Sequence, residues 1–204
     1  MIAAPPSYEN DEVTAQYLDF HYGPSHFGIP NFLTTASFEL SRHFDEVIGV
    51  DYSQSFCNVA NRLLESGKVE YQVTTEGSLF ENRTFGIDSI KHRKDRVSFL
   101  QGDACDLSHF GFRNIDLVFA ANLLDRLYDP KKFLQGVTTI LKQRGMLAIS
   151  SPYTWLEQFT PKENWIGGYI DENGKEVTTF EALKQILSPQ FELIATYEVP
   201  FIMR

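Results

Sequence analysis

The chain has 204 residues, 43% of them apolar and 22% charged, a composition that excludes a disordered polymer and suits one domain with a substantial core. Its formal charge of −9 argues against a nucleic-acid backbone as partner, since holding phosphates requires a basic face. Two cysteines and five histidines without metal-ligand spacing exclude a disulfide framework and give a metal site no support.

No apolar run reaches the length of a membrane span, and Met1 is not followed by a basic-then-apolar leader. The expectation is a cytoplasmic protein that acts on a small molecule, with neither membrane nor nucleic acid as partner. The residues leave the oligomeric state open.

In chain order, a helix is expected from Asn10, with Val13, Tyr17 and Phe20 on one face and a stop at Gly23-Pro24. It forms an N-terminal helical cap over about residues 8–32. The four-residue spacing of Ala36, Leu40 and Phe44 predicts a short helix over Thr35–His43. Residues 47–51, VIGVD, form a β-branched run without alternation, as in a parallel strand covered on both faces. Ser53 is then a helix cap, Phe56, Val59, Ala60, Leu63 and Leu64 are a helical stripe, and Gly67 is its stop.

Residues 69–95 read as an insertion. Val69, Tyr71 and Val73 alternate like an exposed strand, Glu76-Gly77-Ser78 is a turn, and His92-Arg93-Lys94 is a solvated basic turn. The alternation of strand and helix resumes at Val97–Leu100, followed by QGDACDL, and at residues 115–122, IDLVFAAN. Asp129-Pro130 is a cap followed by proline, and Phe133, Leu134, Val137, Ile140 and Leu141 give the next helix one apolar face, closed by Gly145. Strand 146–150, a helix over Phe180–Leu187 and a strand over Phe191–Phe201 complete the reading.

Helices alternating with short apolar strands imply an α/β domain with a mostly parallel sheet and right-handed crossovers. Ligands in such sheets sit beyond the carboxyl ends of the strands. Asp51, Asp103, Asn122 and the segment Ser150–Trp155 occupy those positions. An acid at position 51 suits either a ribose, through its two hydroxyls, or a helix cap. Asp103 can accept from an adenine amino group, with Ala104 leaving room for the ring. Asn122 lies where a cofactor's reactive end would meet substrate.

The segment VTTILKQRGMLAIS at residues 137–150 resembles the Leu-Lys-Pro-Gly-Gly segment of S-adenosylmethionine-dependent methyltransferases, with Gln143 and Arg144 in place of the proline and first glycine. A narrower resemblance lies in residues 150–169, SSPYTWLEQFTPKENWIGGY, supported by YLDFHYG at 17–23, LQGDACDL at 100–107 and FAANLLDRL at 119–127. Together these resemble the C-terminal thiohistidine N-methyltransferase domain of ovothiol biosynthesis enzymes, over nearly the whole chain. The resemblance implies a single Rossmann-like methyltransferase domain over residues 1–204 and methyl transfer to an imidazole nitrogen of a 5-thiohistidine. S-adenosylmethionine would be held by Asp51, Tyr52, Asp103, Ala104 and Asn122.

Such a reaction requires no strong general base, because an imidazole with a pKa of about 6.5 is substantially neutral at cell pH. No catalytic acid or base and no metal ligand is therefore assigned. Tyr153, Trp155, Trp165 and Tyr169 are candidate walls of a dry pocket, where aromatic faces also favour a sulfonium, and Tyr153 and Trp155 are taken as substrate-binding. Tyr22 reads equally as a lid or a packing residue, and Cys105 as a small buried hydrophobe.

One departure from the pattern is expected to matter. Residues 27–35, FGIPNFLTT, run into the first helix without a G-x-G, and Pro30 cannot donate to a strand ladder. The fold is therefore expected to be shortened, lacking the first central strand and, past Pro200-Phe201, the last one. An active methyltransferase and a catalytically impaired relative acting as a binding or regulatory module both remain open.

Overall fold

A computed structural model describes residues 33–87 and 92–198. The helix expected from Asn10, Tyr22, the segment 27–32 with Pro30, and residues 199–204 lie outside the described residues. The chain divides into two compact units, one ending at Asp103 and the other beginning at Ala104.

In the first unit, helix α1 covers Leu33–Leu40 and ends earlier than the expected His43. The hydroxyl of buried Ser41 donates to the carbonyl of Phe38 at 2.5 Å, and His43 N–H donates to Leu40, so the chain leaves the helix in a tight turn. Strand β1 follows at Val47–Asp51, and helix α2 at Gln54–Ser66. Both expected α2 signals operate: Ser53 Oγ accepts from Phe56 N–H, and Gly67 closes the helix at φ 75° while donating to Leu63. Val59, Ala60 and Leu63 turn inward.

The segment read as an insertion is a hairpin, with β2 at Lys68–Glu76 paired antiparallel to β3 at Leu79–Gly86. Its first strand is not simply exposed. Val69 and Tyr71 are buried with Leu63 and Phe38, because alternate side chains of a strand face opposite sides. The basic trio is also partly built in: the His92 ring lies 5.1 Å from that of Phe38, and Arg93 N–H donates to Ser41 Oγ.

Strand β4, Val97–Gln101, pairs parallel with β1 from Val47↔Val97 to Asp51↔Gln101. Gly49 accommodates this pairing, since a Cβ there would lie 2.4 Å from the Phe99 ring.

The second unit opens with a kinked 3-10 segment, Ala104–Phe110, then strand β5 at Ile115–Ala121. Helix α3 covers Pro130–Ile140, with the Asp129 carboxylate accepting from Lys132 N–H and Pro130 in the first turn. Phe133, Leu134, Val137 and Ile140 are its buried face.

The helix ends at Ile140 rather than running to Gly145. Strand β6 is Leu141–Ser150, parallel to β5, and its register jumps between Ile115↔Leu141 and Leu117↔Met146. The turn between carries Arg144 at φ 64°, and a Cβ at Gly145 would meet the Ile115 carbonyl at 3.0 Å. Gly145 thus serves a close backbone approach.

A two-residue hairpin pairs β7, Tyr169–Ile170, with β8, Glu176–Val177, before helix α4 at Thr179–Leu187. The expected last strand does not form over its described part. Residues 191–198 carry no ladder, and Ile194 and Tyr197 are 81% and 84% exposed. A strand exists only through a hydrogen-bonded neighbour, and this segment finds none among the described residues.

Among the described residues the strands form four two-stranded sheets: two parallel, each with helical crossovers, and two antiparallel. This is the α/β architecture expected, with the carboxyl ends of both parallel pairs in the positions sequence assigned to ligand.

Candidate functional site

At the carboxyl end of the β1–β4 pair, Asp51 Oδ1 accepts from Ser53 N–H at 2.8 Å and its carbonyl accepts from Gly102 N–H at 2.8 Å. The cap of α2 is Ser53, so Asp51 is not the cap residue itself. Its carboxylate is instead oriented by the turn at the positive end of the helix, where a negative charge is favoured.

Tyr52 follows, its carbonyl accepting from the Gln101 side chain at 3.1 Å. Burial raises the Tyr52 phenol above its ordinary value, and the nearby charge of Asp103 raises it further. Asp51, Tyr52 and Asp103 thus lie at the neighbouring carboxyl ends of β1 and β4. All three are partly buried.

Ala104, Asn122, Tyr153 and Trp155 belong to the second unit. Ala104 is partly buried at the start of the 3-10 segment. Asn122, just past β5, adopts φ 49°, donates its N–H to the Ser150 carbonyl at 2.8 Å, and accepts from Ser150 Oγ at 3.4 Å. The loop leaving β6 then presents Tyr153, 42% exposed at φ 55°, with its N–H donating to Ser151 Oγ. A left-handed backbone at a tyrosine costs on the order of 1–3 kcal/mol and persists only where its surroundings enforce it. Desolvation raises the Tyr153 phenol above its ordinary value.

Trp155 is placed differently from Tyr153. It is 8% exposed, stacks on Trp165 with ring centroids 6.2 Å apart, and donates from Nε1 to Thr179 Oγ1. Gly168, at φ 82°, gives it room: a Cβ there would lie 3.0 Å from the indole. Trp165 is likewise anchored, donating to the Thr160 carbonyl at 2.8 Å. Cys57 and Cys105 are both buried, with Cys105 Sγ facing the Asp129 carbonyl at 3.4 Å.

Sequence reasoning passed over Asp125 and Arg126. Asp125 is wholly buried, accepting from Ser151 Oγ, Thr154 N–H and Thr154 Oγ1 at 2.8, 3.1 and 2.9 Å. Arg126 pairs with it at 2.7 Å. The available signal was an Asp-Arg step set inside a run of leucines, where an unpartnered charge would be costly.

Among the described residues no group of three or more His, Cys, Asp or Glu is placed to hold a metal ion. No helix among them is long and apolar enough to cross a membrane.

A family model described as "Methyltransferase domain" matches residues 33–149. No curated protein matches the chain. Among solved structures, that of the selenomethionine-substituted CurJ carbon methyltransferase is 19% identical, with a TM-score of 0.47. The match covers 79% of this chain, which spans 40% of the length of that one.

Proposed function

We propose that this chain, which belongs to the methyltransferase domain family, transfers a methyl group from S-adenosylmethionine to an imidazole nitrogen of a 5-thiohistidine-type small molecule. The single observation that carries the cofactor half is the gathering of Asp51, Tyr52 and Asp103 at the carboxyl end of the parallel β1–β4 pair. The acceptor half is supported by the resemblance of residues 150–169 to thiohistidine N-methyltransferase domains.

The donor set fits an adenosine-containing group. A carboxylate is an acceptor only, and ribose hydroxyls and an adenine amino group are donors. Asp51 would take the ribose, Asp103 with Ala104 the adenine edge, and Tyr52 a place beside them. When bound, S-adenosylmethionine supplies an electrophilic methyl carbon on a sulfonium. Asn122 would lie toward the acceptor, and Tyr153, protonated at neutral pH, would donate to it. Trp155 would support the acceptor loop from behind, through its bond to Thr179. A neutral imidazole brings its own lone pair, so the reaction requires alignment and exclusion of water rather than a strong general base.

The decisive test is thermal denaturation with millimolar S-adenosylmethionine or its demethylated product, followed by methyl transfer to 5-thiohistidine and to histidine. A ligand at about a hundred times its dissociation constant adds ~2.7 kcal/mol to stability. The reading expects a clear rise in melting temperature and transfer to 5-thiohistidine in preference to histidine. The absence of both the rise and the transfer would favour the second reading, a catalytically impaired relative acting as a binding or regulatory module, which the missing G-x-G of residues 27–35 motivates.

A further inference from the structure

We infer that Asp125 and Arg126 are positioning residues for the methyl acceptor, locking the loop after β6 into the one backbone form that presents Tyr153. The inference rests on the methyltransferase reading of that loop. Both oxygens of a wholly buried carboxylate are engaged by it: Oδ1 by Ser151 Oγ at 2.8 Å, Oδ2 by Thr154 N–H and Oγ1 at 3.1 and 2.9 Å. Ser151 Oγ in turn accepts from Tyr153 N–H at 3.1 Å.

Arg126 closes the arrangement from the other side. Its Nη1 donates to Asp125 Oδ2 and to the Thr154 carbonyl, its Nη2 to Thr154 Oγ1, and its guanidinium lies 5.0 Å from the centroid of the Phe159 ring. Positions 151 and 154 are thus pinned, and Tyr153, at φ 55° and half-exposed, lies between the pins.

Asp125 is wholly buried while the Arg126 side chain is 32% exposed, and for a carboxylate so enclosed an apolar residue of similar volume often serves stability as well. Among the described residues, every side-chain hydrogen bond that this pair makes outside itself goes to one short loop. That loop stands at the carboxyl end of a parallel strand, where the acceptor is read to bind.

Thr154→Val keeps the shape of the side chain and removes the hydroxyl that Asp125 and Arg126 share, whereas Thr154→Ser retains it. The valine variant is expected to raise the acceptor KM by about tenfold with kcat and the S-adenosylmethionine KM little changed, a loss of ground-state positioning. Amide exchange at Thr154 should quicken in parallel, and the serine variant should restore both. An unchanged acceptor KM, or equal losses in both KM values, would overturn the inference. If the wild-type chain transfers no methyl group, the methyltransferase reading fails by itself. The loop lock is then judged by exchange alone: equal Thr154 exchange in wild type and Thr154→Val overturns it.

Discussion

Trp155 Nε1 donates to Thr179 Oγ1 at 2.8 Å, and both residues are buried. The bond ties the loop after β6 to the first turn of α4, so an aromatic that sequence placed in a pocket wall also holds two elements together. Trp155→Phe keeps an aromatic ring but leaves the Thr179 hydroxyl without its donor. A buried polar group left unsatisfied costs about 1–3 kcal/mol. Urea denaturation of the variant should show that loss in the unliganded protein; full stability with a weakened acceptor KM would instead make Trp155 a ligand wall alone.

Asp51→Ala removes the carboxylate assigned to the ribose together with one hydrogen bond to Ser53 N–H. The unliganded protein should lose about 1.5–3 kcal/mol, the net worth of a hydrogen bond to a charged group. The rise in melting temperature on adding S-adenosylmethionine should largely vanish. A variant that keeps the full rise would reduce Asp51 to a turn-forming residue.

Tyr52 should ionise above the usual tyrosine value of about 10, with burial the larger cause and the Asp103 charge the smaller. Ultraviolet difference titration of wild type against Tyr52→Phe isolates this group. Asp103→Asn should bring the ionisation part of the way back and leave the burial contribution. The folded state holds the proton more tightly than the unfolded state. This contribution to stability is therefore complete below the unfolded pKa and is lost as pH rises through the folded one. A Tyr52 that titrates at or below the ordinary value would show that the phenol is neither desolvated nor near Asp103.

Core truncation should be costly in each unit. Leu63 at 0% and Leu134 at 1% exposure are fully enclosed, and replacing either by alanine removes apolar contact and leaves a cavity. Each change is expected to cost about 2–5 kcal/mol by equilibrium denaturation. A loss below about 1 kcal/mol would mean that the surrounding side chains collapse into the space.

Several elements were legible because their signals are local. Ser53 and Gly67 bracket α2, and Asp129-Pro130 opens α3, because a cap needs only a side-chain oxygen within one turn of the backbone it serves. Positions 51, 103 and 122 were legible as strand ends, since apolar runs stop where a parallel strand leaves its layer. Other features depend on partners remote in sequence. The inward face of β2, the register jump that ends α3 at Ile140, and the failure of 191–198 to join a sheet are each decided by what lies alongside.

The candidate site divides in the same way. Sequence by itself determined which residue types follow the strands, Asp51, Asp103, Asn122 and the segment with Tyr153, because strand periodicity and turn chemistry are written in adjacent residues; which strands pair was decided by the tertiary structure. Only the tertiary structure decided that Trp155 turns inward to Thr179, that Tyr153 turns outward on a left-handed backbone, and that Asp125 is buried with both oxygens taken by Ser151 and Thr154. The reason is the range over which each force acts. Caps and periodicity are settled within a turn or two of chain, whereas burial and the pairing of a buried charge are settled by whichever distant residues the fold brings into contact.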